Sequence, residues 1–150
     1  MKRFRFPLRP LAVLRAHREL RAREAFAASV HAYVQTEERL AATRARVGEL
    51  EQVLFAGRSG SFGAADAAGL FRVYRSECQA EMDAERAVIE AREAMNARRA
   101  DYLEANRQLK IVGKLEDQAR ARHRADTLRA EQVDLDDFAG FRAARRNALT

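Results

Sequence analysis

The amino-acid sequence predicts an all-α protein that forms one long antiparallel two-helix coiled-coil hairpin. The 150 residues are rich in Ala, Arg, Glu and Leu, which is the composition of long helices and coiled coils. Both prolines, Pro7 and Pro10, lie near the N-terminus, so the strongest helix breaker is missing from the rest of the chain. Much of the apolar fraction is alanine, which buries little surface. A thin seam between two helices therefore suits the sequence better than a thick globular core.

Apolar residues recur at seven-residue steps in both halves of the chain. In the first half, one heptad position holds Phe26, Tyr33, Leu40, Val47 and Leu54. In the second half, the same step joins Tyr74, Val88, Met95, Tyr102 and Leu109, with Glu81 as the single interruption. The position three residues further on holds mainly small residues. Such a repeat predicts a supercoiled seam between paired helices, and we interpret the stripe as a core rather than as a cofactor site.

One cluster of helix-breaking residues divides the chain. Residues 57–63 contain three glycines and two serines, which predicts a hairpin turn, and they lack the Gly-Lys-Ser/Thr of a phosphate-binding loop. Asp66 is a candidate cap for the second helix. We therefore expect a single domain over residues 1–150, divided into helix one over about 8–55, a turn over 57–63, helix two over about 65–130 and a C-terminal overhang over 131–150.

The position of the turn also predicts which residues face each other. Folding the chain at residue 60 pairs positions whose numbers sum to about 121, so Phe26 should lie near Met95 and Val47 near Tyr74. In this register, large seam residues of one helix lie opposite large seam residues of the other, and no shift of the helices is needed. The overhang has no partner helix in this arrangement, so we expect it to be mobile or to be held by another protein.

No pattern in the sequence indicates a catalytic or metal site. Cys78 is the only cysteine, so no intrachain disulfide and no cysteine zinc site can form. The three histidines lack metal-ligand spacing. Asp134, Asp136 and Asp137 lack the alternating ligands and distal Glu of a calcium loop and are more typical of a turn or helix cap. We therefore predict a non-enzymatic protein that binds no metal and no cofactor.

Charge is distributed unevenly along the chain. Residues 1–24 carry eight Lys/Arg against two Glu, and residues 92–124 carry nine against five. These stretches lie side by side at the open end of the predicted hairpin, whereas residues 25–91 carry seven Lys/Arg against ten acidic residues. A basic patch attracts acidic protein surfaces, nucleic acid or anionic lipid. Acidic residues are interleaved throughout and no DNA-binding motif is present, so we expect no nucleic-acid partner; an interfacial membrane helix over 3–20 is a further alternative.

The sequence favours a cytoplasmic protein. No run approaches the 18 apolar residues of a membrane-spanning helix. Arg9 and Pro10 interrupt the apolar run near the N-terminus, and no small-residue cleavage site follows, so we do not expect an export signal.

A stripe of residues near the turn is a candidate binding surface. Phe71, Arg75, Cys78 and Met82 follow one another at steps of four, three and four, which places them on one helical face beside the seam. Partly exposed aromatic and Met side chains are typical binding anchors. The alternative is that these residues only broaden the seam near the turn.

Three segments resemble the FliJ family of flagellar export proteins. The start, Phe4-Arg5-Phe6-Pro7-Leu8 running into a long helix, is similar to the F-x-F-x-L element of that family. Residues 110–116, KIVGKLE, resemble its K-x-x-E-K-L-x stretch, and residues 131–137, EQVDLDD, resemble its E-Q-K-x-L-D-E signature. The departures are Gly113 and Val133, where Glu and Lys are usual, and Asp137, where Glu is usual. Stalk proteins of virulence type III secretion, such as YscO, share the shape.

The resemblance implies a stalk similar to the γ subunit of rotary ATPases, held peripherally at the inner-membrane export apparatus through its partners. It implies three partners: a hexameric export ATPase at the open end, the cytoplasmic domain of the export gate nearer the turn, and substrate chaperones. The residues expected to bind the ATPase are Arg3, Phe4, Arg5, Phe6, Arg9, Arg18, Lys110 and Lys114. Those expected to bind the gate are Phe71, Arg75, Cys78 and Met82. A generic coiled-coil scaffold and a nucleic-acid or membrane binder are the competing interpretations.

Overall fold

The computed structural model describes residues 3–57 and 63–147. Over these residues the chain forms two α-helices and no strand: α1 spans Arg9–Gly57 and α2 spans Ala64–Asn147. The two long helices pack against each other as a helical hairpin, which confirms the predicted fold class. Gly57 ends α1 and Gly63 precedes α2, whereas residues 58–62 of the predicted turn lie outside the described residues.

A tight turn precedes α1. The backbone N–H of Arg9 donates to the carbonyl of Phe6 at 3.2 Å, and that of Ala12 donates to the carbonyl of Leu8 at 3.0 Å. Pro7 lies inside this turn, where its fixed φ is favourable. Pro10 lies in the first turn of the helix, where the N–H that proline lacks would have no helical partner. The turn therefore fixes the direction in which the N-terminal segment leaves α1.

Both ends of α2 differ in detail from the prediction. At its start, the N–H of Ala67 donates to the carbonyl of Gly63 at 3.1 Å, so Gly63 occupies the cap position and Asp66 lies in the first helical turn, where a carboxylate favours the positive end of the helix dipole. At its end, α2 continues to Asn147, well beyond the expected end near residue 130. Asp134, Asp136 and Asp137 therefore lie within the helix, and their interpretation as a turn or cap is wrong.

The extension of α2 has a simple local cause. The stretch from about residue 124 to Asn147 contains no proline and only one glycine, Gly140, so nothing breaks the helix. Side-chain bonds at helical spacing support it: the Gln132 amide donates to Asp136 Oδ1 at 3.0 Å, a four-residue spacing that stabilises helices.

The chain divides into two compact units. A terminal unit contains Met1–Glu19 and Ala105–Thr150, and a central unit contains Leu20–Glu104. In the terminal unit, Arg15 donates to the Gln108 side chain, joining α1 to α2. Val112 is its most deeply buried apolar residue, with 5% of its surface exposed.

The predicted seam forms the core of the central unit. All five first-half heptad residues are buried or half-buried, and Val47 is 7% exposed. Thr43, at the companion position, is 6% exposed. Its hydroxyl donates to the Arg39 carbonyl at 2.9 Å, which satisfies the polar group that burial removes from water.

Polar contacts join the two helices along the flanks of this seam. Arg44 contacts Glu81 at 3.1 Å and Glu85 at 2.6 Å, so the acidic interruption of the heptad is matched by a cation from α1. Further pairs across the central unit are Arg46 with Glu77, Tyr74 with Glu51 and Phe26 with Tyr102.

The register of these side-chain contacts differs from the prediction. The paired residue numbers sum to between 123 and 129 rather than about 121. Side chains on a helix tilt toward its N-terminus. In an antiparallel pair, the end of each side chain therefore lies beside the backbone of an earlier residue of its own helix. Two side chains whose ends meet consequently have a higher sum of residue numbers than two residues whose backbones lie directly opposite each other.

Candidate functional site

Positive charge is concentrated in the terminal unit. Residues 1–19 and 105–150 together carry sixteen Lys/Arg against eight Asp/Glu, a net charge of +8. The central unit carries twelve against fourteen, a net charge of −2. The difference makes the terminal unit the part of the chain that attracts anionic partners.

The N-terminal segment packs against α2 through Phe4. The Phe4 ring meets the His123 ring edge to face, with centroids 5.4 Å apart and planes at 67°. The Arg120 guanidinium lies 5.7 Å from the centre of the same ring, within the range of a cation–π contact. Arg120 is held in turn by Glu116 at 2.9 Å. One aromatic side chain thus fixes the N-terminal segment on two successive turns of α2.

Sequence reasoning missed the α2 side of this contact. No motif in the sequence indicates a role for His123 or Arg120, although Glu116, Arg120 and His123 follow one another at steps of four and three, which places them on one helix face. The N-terminal Phe4 is half-buried on its own chain rather than fully exposed.

An open groove of about 800 Å³ lies beside this contact, and we call it the terminal groove. One wall comes from the N-terminal segment and the start of α1, and includes Phe6 and Val13. The other wall is a stripe of α2 that contains Leu109, Gly113, Glu116 and Arg120. Its lining includes three arginines, Arg5, Arg9 and Arg120, against one carboxylate. An added Cβ at Gly113 would meet no atom within 4 Å, so the α2 wall is open at that point.

The residues expected to bind the ATPase all lie in the terminal unit. The four arginines and two lysines among them are exposed, whereas Phe4 and Phe6 are half-buried. The six cations are Arg3, Arg5, Arg9, Arg18, Lys110 and Lys114.

The stripe expected to bind the export gate lies in the central unit, on the exterior of α2. Phe71 is 56% exposed and Met82 is 51% exposed. Arg75 is also exposed, and Cys78 is half-buried. The neighbouring Tyr74 belongs to the seam and is half-buried. The two large apolar side chains therefore lie beside the seam, as the helical spacing predicts.

Tyr74 connects this region of α2 to α1. Its hydroxyl donates to Glu51 Oε1 at 2.9 Å. Hydrogen bonding with Cys78 and with the Glu51 carboxylate raises the pKa of Tyr74 to about 12, because both partners favour the protonated phenol. The hydroxyl therefore remains a donor at neutral pH.

Residues 3–57 and 63–147 contain no group of three His, Cys, Asp or Glu side chains that could hold a metal ion. Neither of the two helices described has a stretch long and apolar enough to cross a membrane.

The fold and these surfaces define a helical-hairpin protein that exposes charged and large apolar side chains. The model of the flagellar FliJ protein family matches residues 4–148, and the chain belongs to this family. It is therefore a non-catalytic component of flagellar protein export. No curated protein and no solved structure matches the chain.

Proposed function

We propose that the chain is the stalk of the flagellar export apparatus. In this role it binds a hexameric export ATPase, promotes the activity of the ATPase ring, and links the ring to the cytoplasmic domain of the export gate and to substrate chaperones. It acts in the cytoplasm and is held at the inner membrane only through these partners, and it binds no nucleic acid.

The concentration of exposed positive charge in the terminal unit carries the proposal. Six exposed cations lie in the terminal unit, and two of them, Arg5 and Arg9, line the terminal groove beside Phe4 and Phe6. The central unit has a slight negative charge. Such a surface attracts an acidic partner, increases the association rate and orients the partner at contact. The apolar residues beside it, Phe4 and Phe6, would then contribute short-range contacts.

The ATPase contact is tested by reversing the six cations together, as Arg3→Glu, Arg5→Glu, Arg9→Glu, Arg18→Glu, Lys110→Glu and Lys114→Glu. We expect this variant to lose capture of the cognate export ATPase and stimulation of its hydrolysis, with unchanged helix content by circular dichroism. A variant that stimulates the ring as well as the natural chain would contradict the assignment.

A matched control reverses six exposed arginines of the central unit and changes the net charge by the same amount. These are Arg21, Arg23, Arg39, Arg72, Arg92 and Arg99. If the terminal surface is specific, the control keeps most of the stimulation. Equal loss in both variants would mean that only the total charge matters.

The gate contact is tested separately with Phe71→Ala and Met82→Ala in one chain. We expect loss of binding to the cytoplasmic domain of the gate with retained ATPase stimulation. The control is Ile89→Ala with Leu103→Ala, since these residues of α2 are 59% and 55% exposed. A parallel loss of both activities, with a lowered melting temperature, would favour a structural role for Phe71 and Met82.

A further inference from the structure

The last part of α2 presents large apolar residues that no other element of the described chain covers. Within the helix itself, the Arg142 guanidinium lies 6.0 Å from the centre of the Phe138 ring. Every described side chain from Leu128 to Arg145 is exposed, and we call this stretch the tail segment. Its large apolar residues are between 57% and 73% exposed: Leu128, Val133, Leu135, Phe138 and Phe141. Exposed apolar groups clustered in this way mark contact surfaces.

The tail segment combines this apolar character with negative charge. Residues 131–137 contain four carboxylates and no Lys or Arg. Glu131, Asp134 and Phe138 follow one another at steps of three and four, so they share one helix face. On that face two carboxylates precede the aromatic ring and two arginines, Arg142 and Arg145, follow it.

The terminal groove has the complementary chemistry. Its α2 wall runs through Leu109, Gly113, Glu116 and Arg120. Glu131 follows Arg120 by eleven residues, or three helical turns, so this wall and the acidic face of the tail segment lie on the same side of α2. The groove provides arginines for the carboxylates, and open space at Gly113 for a ring.

We propose that the tail segment of one copy docks in the terminal groove of a second copy, with the two α2 helices antiparallel. Phe138 of each copy then lies over Gly113 of the other, and Glu131 lies beside Arg120. Both pairs have the same residue-number sum, so a single antiparallel register satisfies them together. In this register Glu131 is the carboxylate that meets an arginine, whereas Asp134 lies level with residue 117, next to Glu116 of the groove.

The geometry of this contact makes it reciprocal. Because the groove and the tail segment lie on one face of one helix, each copy offers both halves of the interface. The two-fold axis passes between residues 125 and 126, and the dimer is closed rather than an open chain. Within one copy, Phe138 is 25 residues from Gly113 along a continuous helix, about 38 Å, so it cannot reach its own groove.

The first test measures self-association of the full chain by sedimentation equilibrium over a range of concentrations and salt. We expect a monomer–dimer equilibrium at moderate salt, where the net repulsion between the two positively charged copies is screened. Phe138→Asp should weaken dimerisation about tenfold or more, since it removes the apolar anchor. Phe138 is 61% exposed in the single chain, so this change does not disturb the fold.

Val133→Asp is the matched control. Val133 is 57% exposed and lies on the same stretch of helix. Five residues separate it from Phe138, which places it about 140° around the helix and away from the proposed interface. It should leave the dimerisation constant unchanged. Equal weakening by both substitutions would overturn the proposed face.

The second test locates the contact by cross-linking with a carbodiimide. The chain has three lysines, Lys2, Lys110 and Lys114. In a mixture of isotope-labelled and unlabelled chains, we expect links from Lys110 or Lys114 of one copy to carboxylates of residues 131–137 of the other. Links confined to acidic residues of the central unit would refute the arrangement.

Both tests use the chain alone, so the result is independent of the proposed role as an export stalk. A chain that is monomeric at all protein concentrations and at every salt concentration tested would overturn the dimer. If, in addition, Phe138→Asp lowered capture by the export ATPase, the occupant of the tail face would be that partner and not a second copy.

Discussion

Phe26 of α1 and Tyr102 of α2 stack face to face in the central unit, with ring centroids 6.0 Å apart and ring planes inclined by 8°. If only backbones lying directly opposite each other were considered, Phe26 would lie near Met95, one heptad earlier in α2. The stacked pair instead follows the tilt of both side chains toward the N-termini of their helices. Parallel rings with offset centres are a favourable arrangement of aromatic groups.

Tyr102→Asp is expected to destabilise the hairpin by about 2–3 kcal/mol, because it removes the stacked ring and places a charge in the seam. The free energy of unfolding from urea denaturation, followed by circular dichroism, measures the effect. Leu103→Asp is the control, since Leu103 is 55% exposed and should change stability little. An unchanged unfolding curve for the Tyr102 variant would show that the ring contributes no packing.

The seam could be predicted from the sequence because burial in a pair of helices follows the heptad period directly. Thus Val47, Leu54 and Leu109 occupy buried or half-buried positions as expected. The pairing of individual side chains could not be predicted in the same way. This pairing depends on the direction and length of each side chain, which cannot be deduced from the positions of Phe26 and Tyr102 in the sequence.

For a related reason, only part of the candidate site could be predicted from the sequence. The exposure of the basic residues and of Phe71 and Met82 follows from local spacing. The packing of Phe4 on His123 and Arg120 does not, since it joins residues more than a hundred positions apart. It requires the turn from Phe6 to Arg9, which the heptad pattern does not contain.

The acidic seam residue Glu81 provides a test of how charge is tolerated in the heptad. Glu81→Leu is expected to raise the melting temperature, because an apolar residue restores the seam and ion pairs seldom stabilise more than good packing does. Arg44→Ala should lower it slightly and lose its effect at high salt, because the guanidinium is exposed and bonded to Glu81 and Glu85. Thermal melts at two salt concentrations distinguish the outcomes. A lower melting temperature for Glu81→Leu would mean that the ion pair outweighs packing.

From the Tyr74 hydroxyl we expect a loss of folding stability in alkaline solution. Its pKa is raised to about 12 in the folded chain, against about 10 for tyrosine in an unfolded chain. A raised pKa means that the protonated phenol is favoured by folding. Its stabilisation is therefore complete below pH about 10 and is lost as the pH rises toward about 12. Tyrosinate absorbance and circular dichroism, recorded together during a pH titration, measure the transition.

Two substitutions distinguish the titration of the Tyr74 hydroxyl from alkaline unfolding that has other causes. Tyr74→Phe removes the titrating hydroxyl, and Glu51→Gln keeps a hydrogen-bond acceptor while removing the negative charge. We expect Glu51→Gln to bring the Tyr74 pKa closer to its ordinary value, because the carboxylate is one of the groups that raise it. An unchanged tyrosinate titration in Glu51→Gln would contradict the assigned cause.

Gly113→Ala is expected to increase the free energy of unfolding by about 0.5–1 kcal/mol, because glycine in a helix interior is less favourable than alanine. Gly113 lies well inside α2, and an added Cβ meets nothing within 4 Å, so no steric penalty opposes the gain. Urea denaturation at low protein concentration measures the effect on the single chain. Gly140→Ala is the control, since Gly140 lies in the exposed tail segment, where added helix propensity should increase helicity without shifting the main unfolding transition.

A destabilised Gly113→Ala chain at low concentration would mean that the space above Gly113 is occupied within one copy. Stabilisation at low concentration that disappears as the concentration rises would instead indicate that a second copy fills it.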